Sequence, residues 1–392
     1  MRMLIAFVAA AVLTSGAPPQ ESAKVVVHEW GTFTSVAGAD GASLDWRPLS
    51  GPSDLPSFVY TTGNSAKGLR HGRNLNFCDG CSAGKECDAK GCIQGTIRME
   101  TPVLYFYSDK ETTLSVKVDF PKGKITEWYP AARSTSRGID WGAVRVLPAA
   151  KVAFPVEPGD SHYYPARETD AHPIRVCSPS VIEHEKFLFY RGVGTFDLPL
   201  RVTLAGDKVT VRNLGKDQVD QVVLFENRDG KIGYRIHCYL KDEVTLDRPE
   251  ANLTVDQLTG DLMKILTGQG LYEREAKAMI KTWRDSWFEP GLRVFYVVPR
   301  RTTDAVLPIA IDPKPADLVR VLVGRSEILT PEMEAAIAAH AAKLGDDSLE
   351  TREAATTGLR KYGRFAEPIL RKVLAATEDP EVKVRIKNLI GG

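Results

Sequence analysis

The hydrophobic period of this chain changes partway along, and that change limits the fold more than any other feature. Between Ile97 and Leu240 apolar residues come in short runs broken by Gly and Pro. Leu114, Val116, Val118 and Phe120 alternate with Ser115, Lys117 and Asp119, the period of a strand with one face buried. Val25–Phe33, Val103–Tyr107, Ile125–Tyr129, Ala143–Leu147, Phe187–Tyr190, Leu200–Leu204, Val209–Arg212, Val222–Glu226 and Gly233–Leu240 read as further strands, rich in β-branched and aromatic residues. Asp229-Gly230 between the last two is a hairpin turn signal. Near residue 250 the period becomes helical. Thr254-Val-Asp-Gln257 is a capping box, and Leu258, Leu262, Ile265 and Leu266 share one face. A second helix carries Met279, Ile280, Trp283 and Trp287, the tryptophans placed to pack it on a sheet. Strands return at Leu292–Val298 and Leu318–Val323, so the helical pair over 254–286 is an insertion. From Thr330 onward every signal is helical, with starts at Thr330-Pro331, near Asp347 and at Asp379-Pro380. The expected class is α+β: a β-sandwich-like, mainly antiparallel body over 21–325, the inserted helices, and a helical module over 326–392.

The N-terminus predicts export. Arg2 precedes an unbroken apolar run from Leu4 to Leu13, then Ser15, Gly16 and Ala17, the plan of a secretory signal peptide over residues 1–20. A membrane span needs about 20 apolar residues, and no later stretch approaches that length. An oxidising, extracytoplasmic destination (periplasmic or secreted) changes how six cysteines are read. Cys78, Cys81, Cys87 and Cys92 fall within one loop over 78–92, where two disulfides or a four-thiolate zinc site are the alternatives. Cys177 and Cys238 are candidates for a third bridge. The balance of 51 basic and 50 acidic residues leaves a formal charge of +1, which gives no field for a nucleic-acid backbone.

The C-terminal segment resembles a HEAT-type helical repeat. Arg352, Ala354, Ala355, Leu359, Gly363, Pro368 and Leu370 carry the likeness, and the acidic start at Asp347 recurs 32 residues later at Asp379. About three repeats make a self-supporting solenoid, so this segment is expected to dock on the body. The body, through His28-Glu29-Trp30-Gly31-Thr32-Phe33-Thr34 and Arg98-Met99-Glu100-Thr101-Pro102, is similar to a family of uncharacterised exported bacterial proteins, a resemblance that implies no activity.

Candidate chemistry is sparse. His28 and Glu29 are adjacent on a strand and face opposite sides, so they cannot ligate one metal together. His28 with His172, His184 and His237 could still assemble a zinc hydrolase site from separate strands, and His162 is a further candidate. Glu183-His184-Glu185 reads as an exposed bend. Serine-nucleophile and phosphate-loop motifs are lacking, since no Gly-x-Ser-x-Gly occurs and Gly192-Val-Gly194 has no third Gly or Lys. Trp128, Tyr129 and Trp141 are candidates for stacking on sugar rings. The expectation is a non-enzymatic binding or scaffold protein without a cofactor, contacting another protein through its helical repeat. The alternatives are a zinc-dependent hydrolase and a carbohydrate-binding protein.

Overall fold

The computed structural model describes residues 23–44, 55–62, 95–135, 137–178 and 181–391. The expected leader and Cys78, Cys81, Cys87 and Cys92 lie outside them. The first half holds β1 (Val25–Gly38), β2 (Tyr60–Thr61), β3 (Ile97–Ser108), β4 (Thr112–Asp119), β5 (Gly123–Tyr129), β6 (Ser134–Thr135), β7 (Gly138–Val146), β8 (Ile174–Cys177), β9 (Ile182–Glu185) and β10 (Leu188–Gly194). Then come β11 (Leu200–Ala205), β12 (Lys208–Asn213), β13 (Val219–Arg228), β14 (Lys231–Leu240), β15 (Glu243–Asp247), α1 (Val255–Gly268), α2 (Glu273–Trp287), β16 (Gly291–Val297), α3 (Arg300–Val306), β17 (Ile309–Asp312) and β18 (Asp317–Leu329). Four helices close the chain: α4 (Pro331–Ala341), α5 (Leu349–Arg360), α6 (Ala366–Ala376) and α7 (Pro380–Gly391).

The class is α+β with mainly antiparallel pairing, as expected. A nine-stranded sheet runs β14-β13-β16-β18-β1-β3-β10-β5-β2, and its centre is the parallel pair β1 and β18. One face packs on two smaller sheets, β11-β12-β15 and β17-β4-β7-β8-β9 with β6 beside β7. The other face packs on α1 and α2. The body is thus layered on both sides of one sheet. β1 shows why its sequence is apolar throughout: Val25, Val27 and Phe33 point to the smaller sheets, while Trp30 points to the helices.

Local signals place the elements. Thr254 and Gln257 form the reciprocal cap of α1. Trp283 and Trp287 are buried between α2 and the sheet. Asp229 and Gly230 both have positive φ, which closes the β13–β14 hairpin. At Gly31 a Cβ would lie 2.9 Å from the Pro102 backbone, so glycine is required where the β1–β3 register shifts. Thr330 caps α4, and Ser348, one residue after the expected Asp347, caps α5. The C-terminal helices have a small core of their own, which takes in Val36 and Leu329 from the ends of β1 and β18.

Three expectations are corrected. Cys177 and Cys238 are exposed, on β8 and β14 of different sheets, and form no bridge with each other. Ile182–Glu185 is a strand, with Glu183 and Glu185 buried rather than on an exposed bend. Finally, β18 runs six residues past the predicted end at Val323, to Leu329.

Candidate functional site

The two segments that distinguish the body in sequence lie on neighbouring strands. Thr32 pairs with Glu100 and Thr34 with Arg98 across β1 and β3. Alternation then splits His28 from Glu29. Glu29 is fully buried toward the smaller sheets and accepts hydrogen bonds from Tyr190 Oη and Arg320 Nε, both at 2.5 Å. His28 faces α2. The helix-facing side of β1 therefore carries two polar clusters, around Thr34 and around His28. Six residues at roughly 3.3 Å per residue set them about 20 Å apart.

The cluster around Thr34 is ionic. Arg293, Arg325 and Glu327 are almost completely buried on β16 and β18. Glu327 accepts from Arg293 Nε at 3.0 Å, Arg325 Nε at 2.5 Å and Arg364 Nη2 at 3.2 Å, so one carboxylate holds three guanidinium groups. Arg325 also reaches Ser286 Oγ and Glu289, and Arg364, from the turn between α5 and α6, pairs with Glu289 as well. Burial pulls the Arg293 guanidinium down to about 10, with Glu327 opposing, so it stays charged at neutral pH. Burial would raise the Glu100 carboxyl, but Arg98, Arg325, the Thr34 hydroxyl and Arg364 together hold it below the ordinary carboxylate value. Beside it, Arg191 is buried, with Nη2 3.3 Å from Thr101 Oγ1. Thr101 has a φ of 46°, a strained value for a β-branched residue.

This cluster borders a cleft of about 1280 Å³ between the body and the C-terminal helices. Arg228, Arg248, Glu289, His340, Tyr362 and Arg364 are among its walls. Arg228 and Arg248 both pair with Glu226, whose carboxyl they hold low against the opposing effect of burial.

The cluster around His28 has few charges. His28 Nδ1 lies 2.7 Å from Glu275 Oε2, with both side chains buried. Tyr107 Oη donates to Glu275 Oε1 at 2.7 Å and the Tyr272 N–H to Oε2 at 2.8 Å. The Glu275 carboxylate oxygen is the acceptor in this bond, so His28 Nδ1 donates to it. The His28 ring lies 4.4 Å from Tyr272 and 5.5 Å from Tyr107 between centroids. His172, 6.2 Å from Tyr107, accepts the Ser108 N–H on Nδ1 at 3.0 Å, which puts its proton on Nε2. Burial and then the nearby Lys186 charge push the His172 pKa down, and burial lowers Lys186 itself.

The predicted residues are only partly brought together. His28 and His172 share the Tyr107 ring. His184 stands opposite Arg175 on β9, His237 opposite Val222 on β14, and His162 is held by Asp285 at 2.9 Å. The four-histidine set does not converge, and among the described residues no three His, Cys, Asp or Glu side chains are grouped to hold a metal. Trp128, Tyr129 and Trp141 are 6%, 3% and 2% exposed, so they offer no ring face to a sugar. They fill the pleat of the sheets, and alternation alone did not tell which face was covered. Glu275, Arg293, Arg325, Glu327 and Arg364 were missed. For Arg293, Arg325 and Glu327 the one sequence signal is a charge set among apolar strand residues, as in Leu292-Arg-Val-Phe295 and Gly324-Arg-Ser-Glu-Ile328; Glu275 and Arg364, on a helix and in a turn, carry no such signal. No family model matches the sequence. A comparison with curated proteins likewise finds no match.

Proposed function

We propose that this chain is an exported, non-enzymatic binding or scaffold protein that takes its partner in the cleft between the β-rich body and the C-terminal helices. The observation that carries this reading is the cleft itself, about 1280 Å³, with walls from two parts of the chain joined by the Arg364–Glu289–Glu327 ion pairs. Charged groups of both signs line it, which favours a polar peptide segment over an apolar ligand. The HEAT-like spacing agrees, because such repeats present surface to other proteins. A segment this short needs the body as its neighbour, and Leu329 and Val36 supply apolar contact.

The test is site-specific photo-crosslinking of the full chain, expressed with its leader. A crosslinker replacing Tyr362 in the cleft is compared with one replacing exposed Val156. One discrete adduct from the Tyr362 position, absent from the Val156 position and lost on Lys361→Glu, is expected. Equal labelling from both positions would remove the cleft reading. Recovery of the uncleaved chain from cytosol would remove export.

A further inference from the structure

The large sheet ends differently on its two sides. β2, one edge strand, is two residues long, whereas β14 at the other edge is ten. In an antiparallel ladder, alternate residues turn their N–H and C=O toward the neighbouring strand and away from it. Ile232 turns away from β13, because its C=O accepts the Leu253 N–H at 3.0 Å. Tyr234, Ile236 and Cys238 share that parity, so their N–H and C=O groups also point outward. Among the described residues these groups make no backbone hydrogen bond. The open stretch is closed at both ends. Glu250 and Leu253 lie against Gly233 and Ile232 at one end, and Tyr239, with a φ of 60°, breaks the alternation at the other. Exposed edges are commonly blunted by lysine, proline or a bulge, and Tyr234-Arg-Ile-His-Cys238 has none of these. Arg235 is its one fixed charge, and Arg235 Nε is drawn back to the Asp247 C=O at 3.1 Å. Ile236 lies opposite buried Val223 on the helix-facing side, yet it is 38% exposed.

We propose that two copies of this chain join edge to edge through β14, antiparallel about a two-fold axis at Ile236, so that their large sheets run on as one. The occupant follows from the symmetry of the open groups. Tyr234 and Cys238 stand equally far from Ile236, so this axis sets Ile236 opposite itself and Tyr234 opposite Cys238 of the second copy. These are the hydrogen-bonded pairs of the ladder, and every outward N–H and C=O of the stretch finds a partner. An axis at Arg235 would set Cys238 against covered Ile232, and one at His237 would set Tyr234 beyond the distortion at Tyr239. The axis at Ile236 also brings the exposed isoleucine side chains together and places Arg235 across from His237, not from a second arginine. A stretch closed at both ends accepts only a partner edge of matching length, which a second β14 supplies. A pairing this short makes a small interface, so the association is concentration-dependent. One consequence rests on the cleft reading above: the pair is a bivalent scaffold. Asp229, which lines the cleft, stands roughly 45 Å along the strands from its counterpart in the second copy.

The experiment is sedimentation of the purified full chain over a concentration series. A monomer–dimer equilibrium is expected, and Ile236→Pro is expected to abolish the dimer. The Ile236 N–H points away from β13, so proline removes no ladder bond within one copy, and the urea midpoint should stay near the parent's. Air oxidation then reads the register. In a Cys238→Ser background, Ile236→Cys puts two thiols at the axis, with Cα atoms about 5.5 Å apart in a hydrogen-bonded pair and within reach of a disulfide. Arg235→Cys, displaced from the axis, should not link. Peptide mapping is expected to find the disulfide between the two 236 positions and to separate it from links made by other cysteines. A chain that stays monomeric at every concentration overturns the proposal, also where an extended segment of another protein takes the edge. A dimer that survives Ile236→Pro overturns it too. If Ile236→Pro does not fold, no link from Ile236→Cys, or equal linking from Arg235→Cys, overturns it instead. The Tyr362 adduct is read without reference to oligomeric state, so the two readings fail separately.

Discussion

The two ends of the helix-facing side of β1 solve the same problem in different ways. Both bury groups that cost several kcal/mol to strip of water unless they are paired. Around Thr34 the solution is charge against charge, with Glu327 holding three guanidinium groups and Glu289 two. Around His28 one carboxylate is satisfied by three donors, and each imidazole uses one nitrogen while the other stays without a hydrogen bond among the described residues. A saturated ionic cluster fixes geometry, here the seat of the C-terminal helices. An imidazole held by one nitrogen retains chemistry on the other. Buried polarity by itself does not mark a reactive site; what matters is which atoms are left over after pairing.

The difference is broken most sharply at Glu327. Glu327→Ala leaves Arg293 and Arg325 buried with one fewer anion between them and is expected to cost about 3–5 kcal/mol in urea unfolding. Replacing Arg293, Arg325 and Glu327 together by apolar residues of similar volume should cost far less, because the loss lies in the uncompensated charge. Equal losses in both variants would mean that packing, not pairing, holds this end.

A smaller loss is expected at the other end. Glu275→Gln keeps the shape but substitutes an amide that donates as well as accepts, against three donors. One donor is then left without a partner, at a cost of about 1–3 kcal/mol. A loss as large as that of Glu327→Ala would show the His28 cluster to be equally ionic and would erase the contrast.

Much of this scaffold is legible in the sequence, and the reason is range. The Asp229-Gly230 hairpin, the Thr254–Gln257 cap and the seating of Trp283 and Trp287 are set by residues within one turn or one helix, and each appears where the pattern put it. The opposition of His28 and Glu29 also follows from local alternation. The partners do not. His28 meets Glu275 across 247 positions, and Glu29 meets Arg320 across 291. The pattern ends β18 at Val323 because Arg325 and Glu327 look like the solvated end of a strand, whereas they are its most buried charges. Glu183 and Glu185 misled in the same way: Tyr60 and the Ala131 N–H hold one, and Arg167 and Tyr163 the other. Charge patterning predicts exposure only where no polar partner arrives from another element. Here partners arrive from a neighbouring strand, a 3-10 turn and a loop: Arg293 and Arg364 for Glu327, Arg167 for Glu185, Tyr60 and the Ala131 N–H for Glu183.

Between the two ends lies Thr32, fully buried, its hydroxyl without a hydrogen-bond partner among the described residues. Thr32→Val keeps the shape and removes a desolvated oxygen, so stability should hold or rise by up to about 1 kcal/mol. A clear loss of stability would mean that the hydroxyl is satisfied in solution and that polar character runs unbroken from one cluster to the other.

The smallest effect expected lies in the pH dependence, where the two ends should separate into different windows. The folded pKa of His172 is below its ordinary 6.5, through burial and then Lys186. Between the two values the unfolded chain binds a proton that the folded chain refuses, so this stability is complete above about 6.5 and is lost as pH falls toward the folded value. Glu100 is likewise lowered, but from 4.5, so its contribution is complete above that value and disappears only on further acidification. Glu185 works the other way, because burial raises its carboxyl and the folded chain takes up its proton first as pH falls. Differences between each variant and the parent are therefore the measurement, taken from urea midpoints across mildly and strongly acidic pH. His172→Gln should flatten the mildly acidic limb alone, and Glu100→Gln the strongly acidic limb alone. If either substitution altered both limbs alike, the clusters would be titrating as one unit and the independence of the two ends would be lost.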